Sequence, residues 1–143
     1  MFDSHPPAVP PTWRVGIDLA AVADVEESLA RQGDRYLARL FTDHEVESCG
    51  GPANLRADSL AARFAAKEAV VKVLRPTAAR PQWREIEVRR HESGACDIEL
   101  HGSAASMAVS EGIDRMSVSL THDAGLAAAV VVAWGSGDPE ARS

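Results

Sequence analysis

The sequence predicts an α+β fold in which an antiparallel sheet packs on one long central helix and several shorter ones. Three observations predict it. Residues Ser59 to Leu74 form an Ala-rich run with no Gly or Pro, the composition of one continuous helix. Near the N-terminus Val15, Ile17 and Leu19 alternate with Gly16 and Asp18, the period of a strand. From Trp83 the period changes: Ile86 and Val88 alternate with Glu85, Glu87 and Arg89, and Cys96–Leu100, Met116–Leu120 and Leu126–Trp134 read as further strands.

The elements follow in order. Residues 1–12 carry Pro6, Pro7, Pro10 and Pro11 and read as an extended leader. A strand runs from Trp13 to Leu19, and a helix covers about residues 21–32. Arg35 to Phe41 is a short helical piece. Thr42 opens another, with Glu45 completing a capping-box pattern, and Gly50, Gly51 and Pro52 end it. Asp58 or Ser59 can cap the long helix, and Pro76 stops it. An irregular segment carrying Arg75, Arg80 and Arg84 leads to a hairpin turning at Gly94. Ser103 to Glu111 is a short helix stopped by Gly112. The last two strands are joined by a turn at Thr121-His122-Asp123-Ala124-Gly125, and residues 135–143 form a polar tail. The folded domain is thus expected to span residues 13–134.

A chain of 143 residues fits one domain with a real core, and 45% hydrophobic with 25% charged residues marks a globular class. A net charge of −6 argues against a general nucleic-acid binder, and an acidic partner would have to meet a local basic patch. No apolar run approaches the roughly 18 residues of a membrane span, and the N-terminus lacks the blocks of a signal peptide. The expectation is a cytoplasmic protein with no membrane or nucleic-acid partner. Cys49 and Cys96 show no metal-ligand spacing and read as reduced structural thiols.

The chemistry-bearing residues concentrate on the long helix. At about 100° per residue Leu60, Phe64, Val71 and Leu74 share a stripe, and Glu68 intrudes on it about 40° from Phe64. Lys67 flanks the stripe, Arg63 precedes Lys67 by one turn, and Lys72 follows Glu68 by one turn. Two readings stand side by side. Glu68 and Lys72 could form an ordinary i,i+4 pair among solvated helix charges, or Glu68 could hold a metal ion beside phosphates. Asp18, at the end of the first strand, could cap the next helix or act as a second metal carboxylate. His122 could be a turn residue or a ligand contact. Two carboxylates without Cys or His ligands suit a hard cation such as Mg²⁺, whose remaining positions go to water and substrate phosphates. The neighbouring cations would then neutralise phosphate oxygens.

Five segments in order carry a resemblance: Val15-Gly16-Ile17-Asp18-Leu19, Leu40-Phe41-Thr42-Asp43-His44-Glu45, Arg63-Phe64-Ala65-Ala66-Lys67-Glu68-Ala69, Glu85-Ile86-Glu87-Val88, and Val118-Ser119-Leu120-Thr121-His122. Together, from about Val15 to Val132, they resemble the holo-[acyl-carrier-protein] synthase family, the small 4′-phosphopantetheinyl transferases. The resemblance implies that a serine hydroxyl of an apo acyl carrier protein attacks the β-phosphate of coenzyme A, accepts phosphopantetheine and releases 3′,5′-ADP. It implies that Asp18 and Glu68 hold Mg²⁺ on the pyrophosphate, with Lys72 nearby. Arg63, Lys67 and His122 would hold phosphates of the nucleotide half. Glu68 would orient or deprotonate the serine. A homotrimer with sites between protomers is also implied.

The chain departs from the family pattern in two places. Asp24 stands where the family commonly has arginine, followed by Glu26 and Glu27, which implies a narrower carrier, such as one from a secondary-metabolite assembly line. Leu74-Arg75-Pro76-Thr77-Ala78 replaces a loop that often carries glycines. Two rival functions are a Mg²⁺-dependent nucleotide pyrophosphohydrolase and a non-catalytic coenzyme A-binding scaffold.

Overall fold

The computed structural model describes residues 11–136. Most of the expected leader and tail lie outside the described residues. The elements run β1 (Thr12–Ala21), α1 (Val22–Gln32), α2 (Asp34–Leu40), α3 (Asp43–Ser48), α4 (Ala57–Leu74), β2 (Ile86–Arg90), β3 (Cys96–Leu100), α5 (Gly102–Ser110), β4 (Arg115–Asp123) and β5 (Leu126–Gly135). The α+β class is as expected, but the strands divide into two antiparallel sheets. One has the order β1-β5-β4 and the other pairs β2 with β3.

Local signals set several boundaries. The Thr42 side chain accepts from the Glu45 N–H while the Glu45 carboxylate accepts from the Thr42 N–H, so the expected capping box forms. Other expectations shift. β1 continues to Ala21, which is the residue preceding α1, so Asp18 does not cap that helix. α4 begins at Ala57, before Asp58 and Ser59, with no side-chain cap from Arg56. β4 extends to Asp123, and only Ala124 and Gly125 form the turn, both with positive φ (51° and 80°). That is the backbone of a two-residue hairpin whose twist matches the strands. His122 is therefore a strand residue.

α4 is the axis of the molecule. It is buried on nearly every side, through Leu60, Ala62, Ala65, Ala66, Ala69, Val70, Val73 and Leu74 among others. The expected single apolar stripe is replaced by its converse: the least covered line runs Phe64, Glu68, Lys72 at four-residue spacing. The reason is that sheet, α1–α3, α5 and the β2–β3 hairpin surround the helix, leaving only one strip uncovered.

β1 meets α4 so closely that Gly16 is obligatory. A Cβ there would lie 2.2 Å from the Ala69 carbonyl oxygen. Gly16→Ala is expected to destabilise the fold by on the order of 3 kcal/mol, because backbone must move to relieve the overlap. A lowered calorimetric melting temperature with retained far-UV signal would show it.

The same geometry orients the first strand. Gly16, Asp18 and Ala20 face α4, whereas Trp13, Val15, Ile17 and Leu19 face outward and are 61–68% exposed. Across the ladder Val15 pairs with Val132, Ile17 with Val130 and Leu19 with Ala128, and Trp13 stacks on Trp134 at 6.0 Å. The face formed by β1 and β5 is thus apolar and open, whereas β4 adds exposed Ser117, Ser119 and Thr121 at its edge.

Candidate active site

Two clusters of functional side chains emerge, on opposite flanks of α4. The first lies toward β1. The Gly16–Ala69 contact brings Asp18, two residues along the same face of β1, beside Glu68 and Lys72. The Lys72 ammonium donates to the Ile17 carbonyl at 2.7 Å and to the Asp18 carboxylate at 3.1 Å. Lys72 therefore joins strand to helix, instead of forming the i,i+4 pair with Glu68. Burial raises the Glu68 pKa above its ordinary 4.5, and repulsion from the Asp18 carboxylate raises it further, while Arg80 and Lys72 pull it down.

That shift has a sign that can be tested. A carboxyl whose folded pKa is raised favours the fold while neutral, and the advantage is lost as pH rises through that raised value. Glu68→Gln is expected to melt at higher temperature than the parent at pH 7, with the difference vanishing below about pH 4.5. Equal melting temperatures across that window would contradict it.

The second cluster lines a cavity of about 360 Å³ between β4 and the β2–β3 hairpin. Arg63, Arg90 and His122 bring positive or protonatable groups to it, with Ser119, Thr121 and Cys96. Arg63 is 5% exposed; its Nη1 donates to the Ser59 carbonyl at 3.2 Å, and its Nε has no hydrogen-bond partner. A buried guanidinium with donor capacity unspent, in a cavity, is suited to an anion. His122 Nδ1 lies 3.6 Å from the Asp58 carboxylate at the cavity rim. Arg90 was not singled out from the sequence, because its role depends on the fold of a hairpin far along the chain.

Lys67 goes to neither cluster, contrary to the expectation that it meets phosphate. It is 0% exposed, and its ammonium donates to the Glu45 carboxylate at 2.7 Å and to the Trp83 and Ile86 carbonyls. Those bonds use all three donors of a lysine. Burial lowers its pKa, opposed by the Glu45 charge.

Glu87, Glu99 and His101 also bring possible ligand atoms within 4.8 Å of one another. Arg89 bonds Glu87 at 2.9 Å and pairs with Glu99 at 3.4 Å, so one cation is already shared by these two carboxylates. Asp18 and Glu68 lie close enough for their charges to repel, which is the electrostatic situation a divalent cation relieves.

A carboxylate pair with a lysine, together with a separate anion-suited cavity, is an arrangement suited to a phosphorylated ligand. The comparisons give that arrangement a family. Residues 14–131 match the family model of the 4′-phosphopantetheinyl transferase superfamily. The chain is 40% identical over 131 residues to the holo-[acyl-carrier-protein] synthase of Chloroflexus aurantiacus, covering 83% of this chain and 96% of that one. It is 42% identical over 117 residues to that of Moorella thermoacetica, covering 82% and 90%. The crystal structure of the Helicobacter pylori holo-[acyl-carrier-protein] synthase in complex with coenzyme A is similar with a TM-score of 0.72 and 29% identity, over 84% of this chain and 99% of that one. The chain belongs to the 4′-phosphopantetheinyl transferase superfamily.

Proposed function

We propose that this protein transfers 4′-phosphopantetheine from coenzyme A to a serine hydroxyl of an apo acyl carrier protein. The observation that carries the reading is the Asp18–Glu68–Lys72 cluster within a chain whose family and named relatives are those of holo-[acyl-carrier-protein] synthases. In the reaction the serine oxygen bonds to the β-phosphorus, the β-phosphorus–oxygen bond toward the nucleotide breaks, and 3′,5′-ADP carries away the electron pair. Glu68 orients the hydroxyl or takes its proton, directly or through a water; its raised pKa brings its basicity closer to that task. Asp18 and Glu68 would hold Mg²⁺, which when bound supplies charge neutralisation at the pyrophosphate oxygens. Lys72, tied to Asp18, keeps a positive charge beside the same phosphates. Arg63 and His122 hold anionic groups of the nucleotide half, joined by Arg90.

The two clusters support a site shared between protomers. β1 and β4 are the two edges of their sheet with β5 between them, so in one chain the cavity and the carboxylates lie on opposite flanks of α4. One coenzyme molecule spans both most simply if the cavity of one chain faces the carboxylates of its neighbour. The open apolar face of β1 and β5 supports the same assembly, since an isolated chain rarely leaves such a patch to water. The working form is then a homotrimer, with the transferase unit spanning residues 13–134. Among the described residues no helix is long and apolar enough to cross a membrane.

The carrier surface is less basic than an acidic partner would favour. Exposed Asp24 lines a cavity with Arg39, Phe64 and Trp83, and exposed Glu26 and Glu27 follow it on α1. A carrier with fewer acidic residues at its docking helix, of the secondary-metabolite kind, fits this rim better than a strongly acidic one.

Intact-mass spectrometry tests the reading: a panel of apo fatty-acid, polyketide and peptide-synthetase carriers is incubated with the protein, coenzyme A and Mg²⁺. A phosphopantetheine-sized mass gain is expected. Coenzyme A cleaved with no carrier modified would instead favour a pyrophosphohydrolase, and coenzyme A bound without turnover a scaffold.

A further inference from the structure

We propose that Lys67 and Glu45 are positioning residues that set the rotation of α4, and through it the separation of Glu68 from Asp18; the inference rests on the metal reading of those two carboxylates. The need for such a device comes from the composition of α4. Where it meets the three-stranded sheet it presents Ala65, Ala66 and Ala69 to Ala129 and the neighbouring strands. Beside Glu68 that seam is built of small side chains, with the larger Val70, Val73 and Val131 further along it, so interlocking there is shallow. Directional contacts add the definition that small side chains do not.

Two such contacts bracket Glu68. On one side Ala69 lies against Gly16 of β1. On the other, Lys67 reaches into the layer formed by α3, the turn Trp83–Glu85 and β2, bonding Glu45, Trp83 and Ile86. Glu45 is itself immobilised: its other oxygen accepts from the Val88 N–H at 2.9 Å, and it completes the capping box with Thr42. The Phe41 ring lies 5.6 Å below the ammonium. Every polar atom of the pair has a partner, so the network is rigid. Residue 68 lies between these clamps in sequence and points out of the one uncovered strip. A buried ion pair is weak evidence for net stability, and fixing register is its best-attested use.

The test is the pair variant Lys67→Met with Glu45→Gln, which removes both charges so that neither is left buried alone. Mn²⁺ binding in the presence of coenzyme A is read by electron paramagnetic resonance, alongside transfer kinetics. The expected result is a folded protein with Mn²⁺ affinity weakened ~10-fold and kcat lowered by a similar or larger factor, the KM for coenzyme A staying within about threefold because the Arg63 cavity is intact. Ile113→Ala, in the core beneath α5, serves as a control that lowers stability without touching the clamp. If the pair variant melts lower but binds Mn²⁺ as the parent does, Lys67 and Glu45 are merely structural and the inference is overturned.

Should the pair variant not melt cooperatively, Glu45→Asp decides. It keeps both charges and shortens the clamp by one methylene, and a folded Glu45→Asp protein with parental Mn²⁺ affinity would overturn the inference equally. A parent that binds no Mn²⁺ at all would overturn the metal reading and this inference with it. A parent that binds it, with variants that bind it as well, would overturn this inference alone.

Discussion

Glu68→Gln is expected to slow phosphopantetheine transfer by on the order of 10²–10⁴-fold, the range for losing a positioned acid–base group. The substitution keeps size and hydrogen-bonding capacity but removes the negative charge. That charge serves twice in the proposed chemistry, toward the serine proton and toward Mg²⁺. Rate should fall more than coenzyme A affinity, because Arg63 and His122 lie on the other flank of α4 and are untouched. Single-turnover transfer followed by intact mass, together with equilibrium binding of coenzyme A, separates the two effects. A variant with parental rate would remove Glu68 from the mechanism. Because Glu68 is held near Asp18 at an electrostatic cost, the same substitution should stabilise the fold at neutral pH, so loss of activity could not be ascribed to unfolding.

Ile17→Asp should have the second large effect. It places a carboxylate in the middle of the open apolar face, between Val15 and Leu19 and opposite Val130. In the single chain the position is exposed, so the fold should tolerate the change. In a trimer closed over that face the charge would be buried without a partner, a penalty of roughly 3–5 kcal/mol at each copy. Light scattering is expected to report one chain where the parent reports three, and transfer activity should disappear with the assembly. Mixing makes the shared site visible: a Glu68→Gln protein and an Arg63→Ala protein, each inactive, should regain part of the activity after subunit exchange. Failure to complement, with exchange demonstrated, would place both clusters' partners within one chain.

What could be read without the fold was local or periodic. The capping box at Thr42 and Glu45 forms because both partners lie within one turn. α4 was legible from composition and β1 from alternation, to within two residues at their ends. The carboxylates Asp18 and Glu68 stood out because charge in an apolar pattern is costly, and the structure does bring them together.

The tertiary structure decided everything that depends on what lies against a given face. Periodicity identifies the two faces of β1 but not which one turns inward; the Gly16 contact with Ala69 turns the small and charged face toward α4 and leaves the large apolar one open. A helical wheel supposes one wet side, and α4 is surrounded, so Lys67, which resembles any solvated helix lysine in the sequence, becomes, with its partner Glu45, fully enclosed. Its partners, Glu45, Trp83 and Ile86, lie 16 to 22 residues away. The physical reason is common to both cases: backbone preference and hydrophobic period are encoded within a few residues, whereas desolvation of a charge is set by groups that only the completed fold brings near.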